Sequence, residues 1–460
     1  MRLARRKERS MLHGPLFSSI ITYTIPIMLT GLLQLLFNAA DLVIVGRYRG
    51  SLSVAAVSAT GAIINLIVNL FIGLSVGAGV AVAHGLGGQQ DEEVHKTVHT
   101  ALPVALVSGI VLTIVGVLFS RTFLELMGTP IGVLPLSTTY MQIYFAGMTF
   151  SMVYNYCAAI LRAAGDTKSP LIFLTISGVV NVGLNVLFVT VFHMDVDGVA
   201  LATTISQAIS AVLVVIALMR RKDACKLYLR KMRFYKKPLL KMIRIGLPAG
   251  IQGSLFSISN VIIQSSINSF NSEVLMSGNG AASNLEGFVY VMMNSFHQTA
   301  VNYIGQNKGA HQFSRIKKVF GICTLYVAVV GFIAGFSLWY YGRDLLGIYI
   351  TDNSLSIEYG IRRLTYIALP YFVCGLMDVS TGGLRGLGAS TVPMIISVLG
   401  VCGIRILWIY TIFQIPQFHT LECLYLSYII SWLVTFTAQT IAFIVVYKKQ
   451  KRKDPLRIAT

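Results

Sequence analysis

Residues 16–46 read LFSSIITYTIPIMLTGLLQLLFNAADLVIVG, an apolar run that carries one charged side chain, Asp41. A helix needs about 20 mostly apolar residues to cross the hydrocarbon core of a bilayer, and this run is longer. The rest of the chain is similar, since 55% of its 460 residues are hydrophobic and only 12% are charged. An ordinary soluble protein has about 25% charged residues. The sequence therefore predicts an all-α polytopic membrane protein and excludes a soluble or disordered chain.

Reading for such runs between charged or turn-rich breaks gives twelve predicted transmembrane helices. They cover residues 16–46, 53–83, 97–120, 134–158, 169–193, 197–220, 239–269, 275–304, 319–341, 359–384, 391–415 and 420–447.

The basic residues are distributed unevenly between the predicted loops. The chain has 37 Lys and Arg against 18 Asp and Glu, a net charge of +19. Twelve spans place both termini on one side, and 30 of the 37 basic residues lie on that side. The opposite side has six, and one, Arg405, lies within a span; the six are Arg47, Arg49, Arg121, Arg343, Arg362 and Arg363. Positive residues favour the cytoplasmic side. We therefore expect a multi-pass cell-membrane protein with both termini cytoplasmic, in contact with lipid and not with nucleic acid.

The second half of the chain repeats the first. The segment HGLGGQQDEEVHKTV at 84–98 matches GQNKGAHQFSRIKKV at 305–319, and LRAAGDTKSP at 161–170 matches LRGLGASTVP at 384–393. Proline, glycine and asparagine recur at one spacing in spans 1 and 7, at Pro26, Gly31, Asn38 and at Pro248, Gly253, Asn260. All these matches have nearly the same offset along the chain, which indicates an internal duplication.

The duplication predicts two pseudo-symmetric six-helix lobes, residues 1–220 and 239–460, joined by a basic cytoplasmic linker, residues 221–238. Both lobes enter the membrane from the same side, so their pseudo-twofold axis runs along the membrane normal. Parallel repeats of this kind occur in secondary transporters, with the substrate path at the interface of the repeats. A channel or a membrane enzyme does not need two such halves.

Oxygen-bearing side chains gather at one depth of the N-terminal lobe. At 1.5 Å per residue, Asp41 lies about 8 Å below the outer end of its span, Asn185 about 12 Å, and Thr203 and Tyr140 about 9 Å. Asn181 lies one helical turn from Asn185. A carboxylate with carbonyl and hydroxyl oxygens suits a small hard cation such as Na⁺, and a buried carboxylate also suits a proton. These five residues are the predicted site of the coupling ion.

Two other interpretations of the buried polar residues remain open. Asp41 could reach outward to Arg47, and the two asparagines could simply bond neighbouring helices. Glu286 and Asp378, the other acidic residues predicted inside spans, could instead line a substrate cavity and attract a cation. The full set of predicted cavity residues is Gln34, Asn38, Gln252, Asn260, Gln264, Glu286, Asn294 and Asp378.

Enzymatic activity is not expected. The G-x-S-x-G pattern at Gly73–Gly77 lies inside a transmembrane run, and a hydrolase needs it on a strand-to-helix turn. With Gly382 and Gly386, it is better interpreted as a small-residue packing face. There is no Walker A loop and no zinc spacing, and the six cysteines are interpreted as packing residues. No cofactor is expected apart from Na⁺ or H⁺ as the coupling ion.

Pro26 interrupts the first span fifteen residues before Asp41. A proline inside a helix removes a hydrogen bond and favours a kink. We therefore predict a hinge at this position.

These residues resemble the prokaryotic multidrug and toxic compound extrusion (MATE) transporters along almost the whole chain. The resembling stretches are PIMLTGLLQLLFNAADLVIVGRYRG at 26–50, LRAAGDTKSP at 161–170, GQNKGA at 305–310 and RGLGASTVP at 385–393. The resemblance implies two lobes in a V around a central cavity. It also implies efflux of amphiphilic, often cationic, small molecules driven by inward Na⁺ or H⁺.

The resemblance assigns the N-lobe ion site to a carboxylate of the first helix, an asparagine and an aspartate one turn apart on helix 5, a threonine of helix 6 and a tyrosine of helix 4. Asp41, Asn181, Thr203 and Tyr140 match this pattern, but Asn185 stands where the second carboxylate is expected. The loss of one negative charge should weaken Na⁺ binding and shift the site toward protons. We expect a monomeric antiporter, and the alternative is a flippase for a lipid-linked saccharide of the same superfamily.

Overall fold

The computed structural model describes residues 11–350 and 354–454, and every regular element in these residues is a helix. The first half contains α1 (Leu16–Arg49), α2 (Ser51–Gly87), α3 (Asp91–Leu126), α4 (Leu134–Ala146), α5 (Met148–Ala163), α6 (Lys168–Val186) and α7 (Val196–Arg220). The second half contains α8 (Lys236–Asn268), α9 (Glu273–Gly309), α10 (Phe313–Tyr340), α11 (Gly342–Tyr349), α12 (Ser354–Ile367), α13 (Phe372–Gly386), α14 (Thr391–Ser397), α15 (Ile404–Tyr410) and α16 (Leu421–Arg452). One turn of π-helix, Leu187–Val191, extends α6, and another, Val398–Gly403, joins α14 to α15.

Each predicted span coincides with one helix or one interrupted helix. Among the described residues, ten of these helices are long and apolar enough to cross a membrane. The other two predicted spans correspond to α4 with α5, which Gly147 separates, and to α9, whose sequence is rich in polar residues. The prediction of an all-α polytopic membrane protein is therefore confirmed. The basic residues of segments 1–10 and 455–460 lie outside the described chain.

The chain forms two compact units whose limits fall inside helices. One unit contains Leu29–Ser254, and the other contains the chain from Leu255 onward together with the segment that ends at Met28. The first turns of α1 therefore belong to the second unit, and the first half of α8 belongs to the first unit. The predicted lobe limits, at residues 220 and 239, are instead the two ends of the linker. These lobe limits stay a prediction.

Side-chain hydrogen bonds hold the start of α1 in the second unit and the first half of α8 in the first unit. Within the second unit, the hydroxyl groups of Thr24 on α1 and Thr299 on α9 hydrogen-bond at 2.8 Å. Within the first unit, Ser254 Oγ on α8 donates to the carbonyl oxygen of Leu66 at 2.9 Å. Helix α1 continues through Pro26, two residues before the unit limit. The hinge at this proline stays a prediction.

Glycines bring α2 and α8 into backbone contact in the first unit. A Cβ atom on Gly73 would strike the backbone of Gly250, and one on Gly77 would strike the carbonyl oxygen of Met242. In the second unit, a Cβ atom on Gly382 would meet the carbonyl oxygen of His297 in the same way. The predicted small-residue packing faces are therefore present.

Replacing Gly77 with alanine is expected to destabilise the protein by about 1–3 kcal/mol, because the new methyl group meets backbone that cannot move aside. Gly61→Ala on the same helix is the matched control, since nothing lies within 4 Å of its Cβ position. Thermal unfolding of the detergent-purified protein measures the difference. Equal melting temperatures for the two variants would contradict close packing at Gly77.

The linker packs against the start of α3. The backbone N–H of Tyr228 donates to His99 Nε2 at 3.0 Å, and that of Arg233 donates to the His99 carbonyl oxygen at 3.2 Å. The Cys225 side chain is fully buried, and this burial raises the pKa of its thiol to about 12. The linker residues between α7 and α8 are therefore held in place and do not form a loose tether.

Two arginines that the sequence analysis counted as charges of the membrane sides are buried inside the second unit. Arg363 on α12 is 5% exposed and Arg385 on α13 is 9% exposed. The count did not predict their burial, because charge alone does not distinguish a solvated arginine from one that neighbouring side chains accommodate. The six cysteines are all free and buried, as expected for packing residues.

Candidate functional site

Helices α6 and α7 of the first unit bring polar side chains to Asp41 on α1. Its carboxylate is 7% exposed and accepts a hydrogen bond from Asn185 Nδ2 at 2.5 Å and another from Thr203 Oγ1 at 3.4 Å. Asn181 completes the cluster, since its Nδ2 contacts Thr203 Oγ1 at 3.3 Å and its Oδ1 accepts from Asn185 Nδ2 at 3.2 Å. The asparagines meet on one face because four residues separate them on α6. Four of the five residues predicted for this site, all except Tyr140, are therefore joined by hydrogen bonds.

The charge of Asp41 has no basic partner within the described chain. Arg47 is exposed and forms no ion pair there with Asp41. Arg49 donates to the carbonyl oxygens of Met194 and Val189 at 2.8 and 3.0 Å. The alternative in which Asp41 reaches out to Arg47 therefore has no support in the contacts. An ionised carboxylate buried without a positive partner is costly, so a proton or a cation would stabilise it.

The oxygen atoms of the cluster are of the kind that bind a hard cation, and its single carboxylate, Asp41, supplies one negative charge. The carboxylate, the two amide oxygens and the hydroxyl are hard ligands. Asn185 Oδ1 is buried and has no hydrogen-bond partner among the described residues. Rotation of the Asn185 side-chain amide by about 180° would point this oxygen at the Asp41 carboxylate. No group of three or more His, Cys, Asp or Glu side chains able to hold a metal occurs in residues 11–350 or 354–454.

Tyrosines border the cluster without bonding to it. Tyr140 is 7% exposed and forms no hydrogen bond with Asp41 in the described chain. Tyr144, one turn further along α4, stacks on Tyr140 with ring centroids 6.1 Å apart and hydrogen-bonds to Gln207. Sequence reasoning missed Tyr144, although its spacing of four residues from Tyr140 places it on the same helix face.

The predicted cavity residues differ in how exposed they are in the structure. Four of them are exposed on their helices, namely Gln34, Asn38, Asn260 and Gln264. Gln252 is buried in the first unit, and Gln264 bonds Asn268 and Asn279 within the second. A common substrate cavity for these residues stays a prediction.

Glu286 is neutralised by an arginine. Both of its carboxylate oxygens accept from Arg363, at 3.0 Å from Nε and 2.8 Å from Nη2. Asn279 Oδ1 accepts from Arg363 Nη1 at 2.7 Å and from the Tyr425 hydroxyl at 3.1 Å. Glu286 is therefore already engaged and does not wait for a cation. Arg363 was detectable in the sequence as a basic residue inside the predicted span 359–384.

Asp378 belongs to a second buried cluster. It is 6% exposed, and its side chain hydrogen-bonds Tyr290 and Asn294. Its backbone carbonyl accepts from His297 Nδ1 at 2.7 Å, and His297 Nε2 lies 3.3 Å from Arg385 Nη1. His297 thus joins α9 to α13 through both ring nitrogens.

Comparison with known proteins places these features in one family. A sequence profile of the family described as MatE matches residues 26–187 and again residues 248–411. The two matches begin at Pro26 and Pro248, the same pair of prolines that the repeat aligns, which confirms the internal duplication.

Named relatives and solved structures agree with this match. The chain is 26% identical to the probable multidrug resistance protein YoeA of Bacillus subtilis, over 84% of this chain and 85% of that protein. It is 21% identical to the multidrug export protein MepA of Staphylococcus aureus, over 86% and 87% of the two chains. An outward-facing multidrug resistance MATE family transporter of the MOP superfamily has the same fold, with a TM-score of 0.89, 19% identity and coverage of 97% and 99%. A mutant of the Vibrio cholerae MATE transporter VcmN has a TM-score of 0.85, 19% identity and coverage of 96% and 98%. The chain belongs to the MatE family and is a multidrug and toxic compound extrusion transporter, not an enzyme.

Proposed function

We propose that the protein exports amphiphilic, cationic drugs or toxic metabolites in exchange for Na⁺ or H⁺. The names of two relatives, a multidrug export protein and a probable multidrug resistance protein, support drugs as the cargo. A flippase for a lipid-linked saccharide, the runner-up function, has no comparable support from these relatives.

The observation that carries the proposal is the buried carboxylate of Asp41. It lies on α1, a helix long and apolar enough to cross a membrane, accepts hydrogen bonds from Asn185 and Thr203, and has no basic partner in the described chain. Intramembrane carboxylates of this kind mark ion pathways and proton relays. A bound proton or Na⁺ would cancel the charge, so occupancy of the site changes the electrostatics of α1, α6 and α7 together.

We propose alternating access as the transport mechanism. Substrate enters from the cytoplasm or the inner leaflet, the protein opens outward, and the coupling ion reaches Asp41. Helix α1 then bends near Pro26, the N-lobe pocket shrinks and substrate leaves. The protein acts in the cell membrane as a monomer with both termini in the cytoplasm.

Purified protein reconstituted into liposomes tests this proposal. Efflux of a cationic dye is measured under a pH gradient alone, under a Na⁺ gradient alone and without a gradient. An antiporter accelerates efflux under at least one gradient. Equal rates under all three conditions would exclude ion-coupled export, and translocation of a lipid-linked saccharide alone would favour the flippase.

Asparagine at position 185 is expected to limit Na⁺ binding. In Asn185→Asp, a second carboxylate replaces the amide that contacts Asp41 at 2.5 Å. Two carboxylates at that distance repel each other unless a cation lies between them. We expect the Na⁺ concentration for half-maximal efflux to fall at least tenfold, which corresponds to about 1.4 kcal/mol of binding free energy.

Titration of dye efflux with Na⁺ at constant pH measures this change. Asn181→Asp is the companion variant, because it adds the same charge one turn away and contacts Thr203 instead of Asp41. A Na⁺ response that is the same in Asn185→Asp and in the unmodified protein would show that position 185 does not contribute to ion binding.

A further inference from the structure

The linker between α7 and α8 lies beside α3 at the point where α3 becomes apolar. The backbone N–H of Tyr235 donates to Thr100 Oγ1 at 3.2 Å, and this hydroxyl contacts the carbonyl oxygen of Arg233 at 3.3 Å. With the contacts of His99, these bonds hold the linker about 12 Å along α3 from its first residue, at a rise of 1.5 Å per residue. The predicted membrane span of α3 begins there. Residues 226–236, the interfacial segment, therefore lie at the expected edge of the membrane.

The interfacial segment has a buried side and an exposed side. Leu227 and the adjoining Cys225 are buried, and the backbone N–H of Leu227 donates to the carbonyl oxygen of Leu218 on α7 at 3.1 Å. Three large apolar or aromatic side chains are exposed, namely Tyr228 at 41%, Leu229 at 45% and Phe234 at 51%. Aromatic and leucine side chains that a fixed backbone holds exposed are typical of residues that enter the headgroup region of a membrane.

Basic side chains alternate with these apolar ones. Four exposed basic residues lie in the interfacial segment, namely Arg230, Lys231, Arg233 and Lys236. Two ammonium groups lie around one ring, because Lys226 Nζ is 5.0 Å and Lys231 Nζ is 4.9 Å from the ring centroid of Tyr228. The ring attracts both cations but does not neutralise them. Two like charges are therefore held close together.

No carboxylate of the described chain pairs with these basic residues. Asp223 instead accepts from Arg221 Nε, with both carboxylate oxygens at 3.0 Å, and Glu92 pairs with Lys96 one turn along α3. The ion pairs formed by residues 11–350 and 354–454 include none of the basic residues of the interfacial segment. The segment therefore combines uncompensated positive charge with exposed apolar side chains.

We propose that the interfacial segment binds the headgroups of anionic phospholipids in the inner leaflet. Lys226 and Lys231 contact the lipid phosphate, and Leu229 and Phe234 insert between the headgroups and the acyl chains. Lysine and arginine near a membrane surface attract anionic lipids by about 1 kcal/mol each. A soluble acidic partner would not need the exposed apolar side chains. The inference uses the orientation proposed above, with the linker on the cytoplasmic side, and does not depend on the cargo or the coupling ion.

Thermal unfolding of the detergent-purified full chain with added lipid tests the binding. Dioleoylphosphatidylglycerol is the anionic probe, and dioleoylphosphatidylcholine has the same acyl chains with a zwitterionic headgroup. A ligand that binds only the folded state raises the melting temperature as its concentration rises. We expect half-saturation at an about tenfold lower concentration of phosphatidylglycerol, equivalent to about 1.4 kcal/mol. High salt should weaken this preference, because it screens exposed charges.

Two double variants show whether the preference belongs to the interfacial segment. Lys226→Gln with Lys231→Gln removes the two charges around Tyr228 and should abolish most of the preference. Lys317→Gln with Lys318→Gln is the matched control, since it removes the same net charge from exposed positions on α10 and should keep the preference. An equal loss in both double variants would overturn the inference.

Two results with the unmodified protein would also overturn it. One is an equal effect of the two lipids on the melting temperature. The other is stabilisation by inorganic phosphate to the same extent as by phosphatidylglycerol at equal concentration, which would indicate a site for a free anion.

A labelled cysteine tests the position of the apolar side chains. Leu229→Cys carries a nitrobenzoxadiazole dye, and the six native cysteines are buried, so the introduced thiol is the reactive one. The protein is reconstituted into phosphatidylcholine liposomes with one quarter phosphatidylglycerol. A nitroxide-labelled phosphatidylcholine should quench this dye more strongly than the same dye at Glu92→Cys, an exposed position about 10 Å before His99 on α3. Equal quenching at the two positions would overturn the placement of the segment in the membrane.

These measurements separate the inference from the proposed function. Asp41→Asn should keep the preference for phosphatidylglycerol while it loses ion-driven efflux. Failure of the proposed function would appear as unchanged efflux in Asp41→Asn. Failure of the present inference would appear as equal effects of the two lipids.

Discussion

Asp41→Asn is expected to abolish ion-driven efflux while the protein stays folded. Asparagine cannot carry the charge that binds a proton or Na⁺, so the ion gradient no longer drives transport. For a cationic dye exchanged against one cation, a tenfold gradient of that cation supplies about 1.4 kcal/mol, or about tenfold accumulation of the dye. We expect this accumulation ratio to fall to near one in the variant, measured in proteoliposomes.

The contacts of Asp41 explain why the variant should fold. An asparagine at this position keeps one acceptor oxygen for the Thr203 hydroxyl, and rotation of the Asn185 amide turns its orphan oxygen toward the new NH₂ group. Asp91→Asn makes the same chemical change at an exposed position at the start of α3 and should leave efflux unchanged. Transport by Asp41→Asn at the rate of this control would exclude Asp41 as the coupling residue.

The sequence was sufficient for the parts of the structure that follow from periodicity and depth. A membrane forces apolar runs of fixed length into helices, so the spans and their outer ends could be counted. Depth along a helix then follows from the rise per residue, which is why Asp41, Asn185 and Thr203 could be grouped before their contacts were known. The orientation of each side chain around its helix axis is also set by packing, so the hydrogen bonds themselves could not be predicted.

Arginines mark the limit of this reasoning. Arg363, inside a predicted span, and Arg385, directly after it, were counted with the charges of the membrane sides, because nothing local in the sequence reports a partner far along the chain. Arg363 is 77 residues from Glu286, so only the folded bundle joins them. The unit limits inside α1 and α8 were missed for a similar reason, since a continuous helix carries no break in its pattern where its packing partners change.

Glu286→Gln is expected to cause the largest loss of stability of any single change considered for this protein. The substitution leaves Arg363 buried at 5% exposure with no negative partner. Removing one member of a buried ion pair costs about 3–5 kcal/mol, because the remaining charge keeps its desolvation penalty and loses its compensation. Thermal unfolding read with a thiol-reactive coumarin measures the effect, since all six cysteines are buried and react only on unfolding.

A double variant distinguishes the cost of leaving Arg363 without a partner from the net contribution of the ion pair to stability. In Glu286→Met with Arg363→Met, both charges leave together, and replacement of a buried pair by apolar side chains is often neutral or stabilising. We therefore expect the double variant to be more stable than Glu286→Gln, although it carries more changes. Glu273→Gln lies on the same helix at an exposed position and should unfold like the unmodified protein. The opposite result, with the double variant the least stable of the three, would mean that the hydrogen bonds of Asn279 and Tyr425 depend on this ion pair. The network would then be a structural element that apolar packing cannot replace.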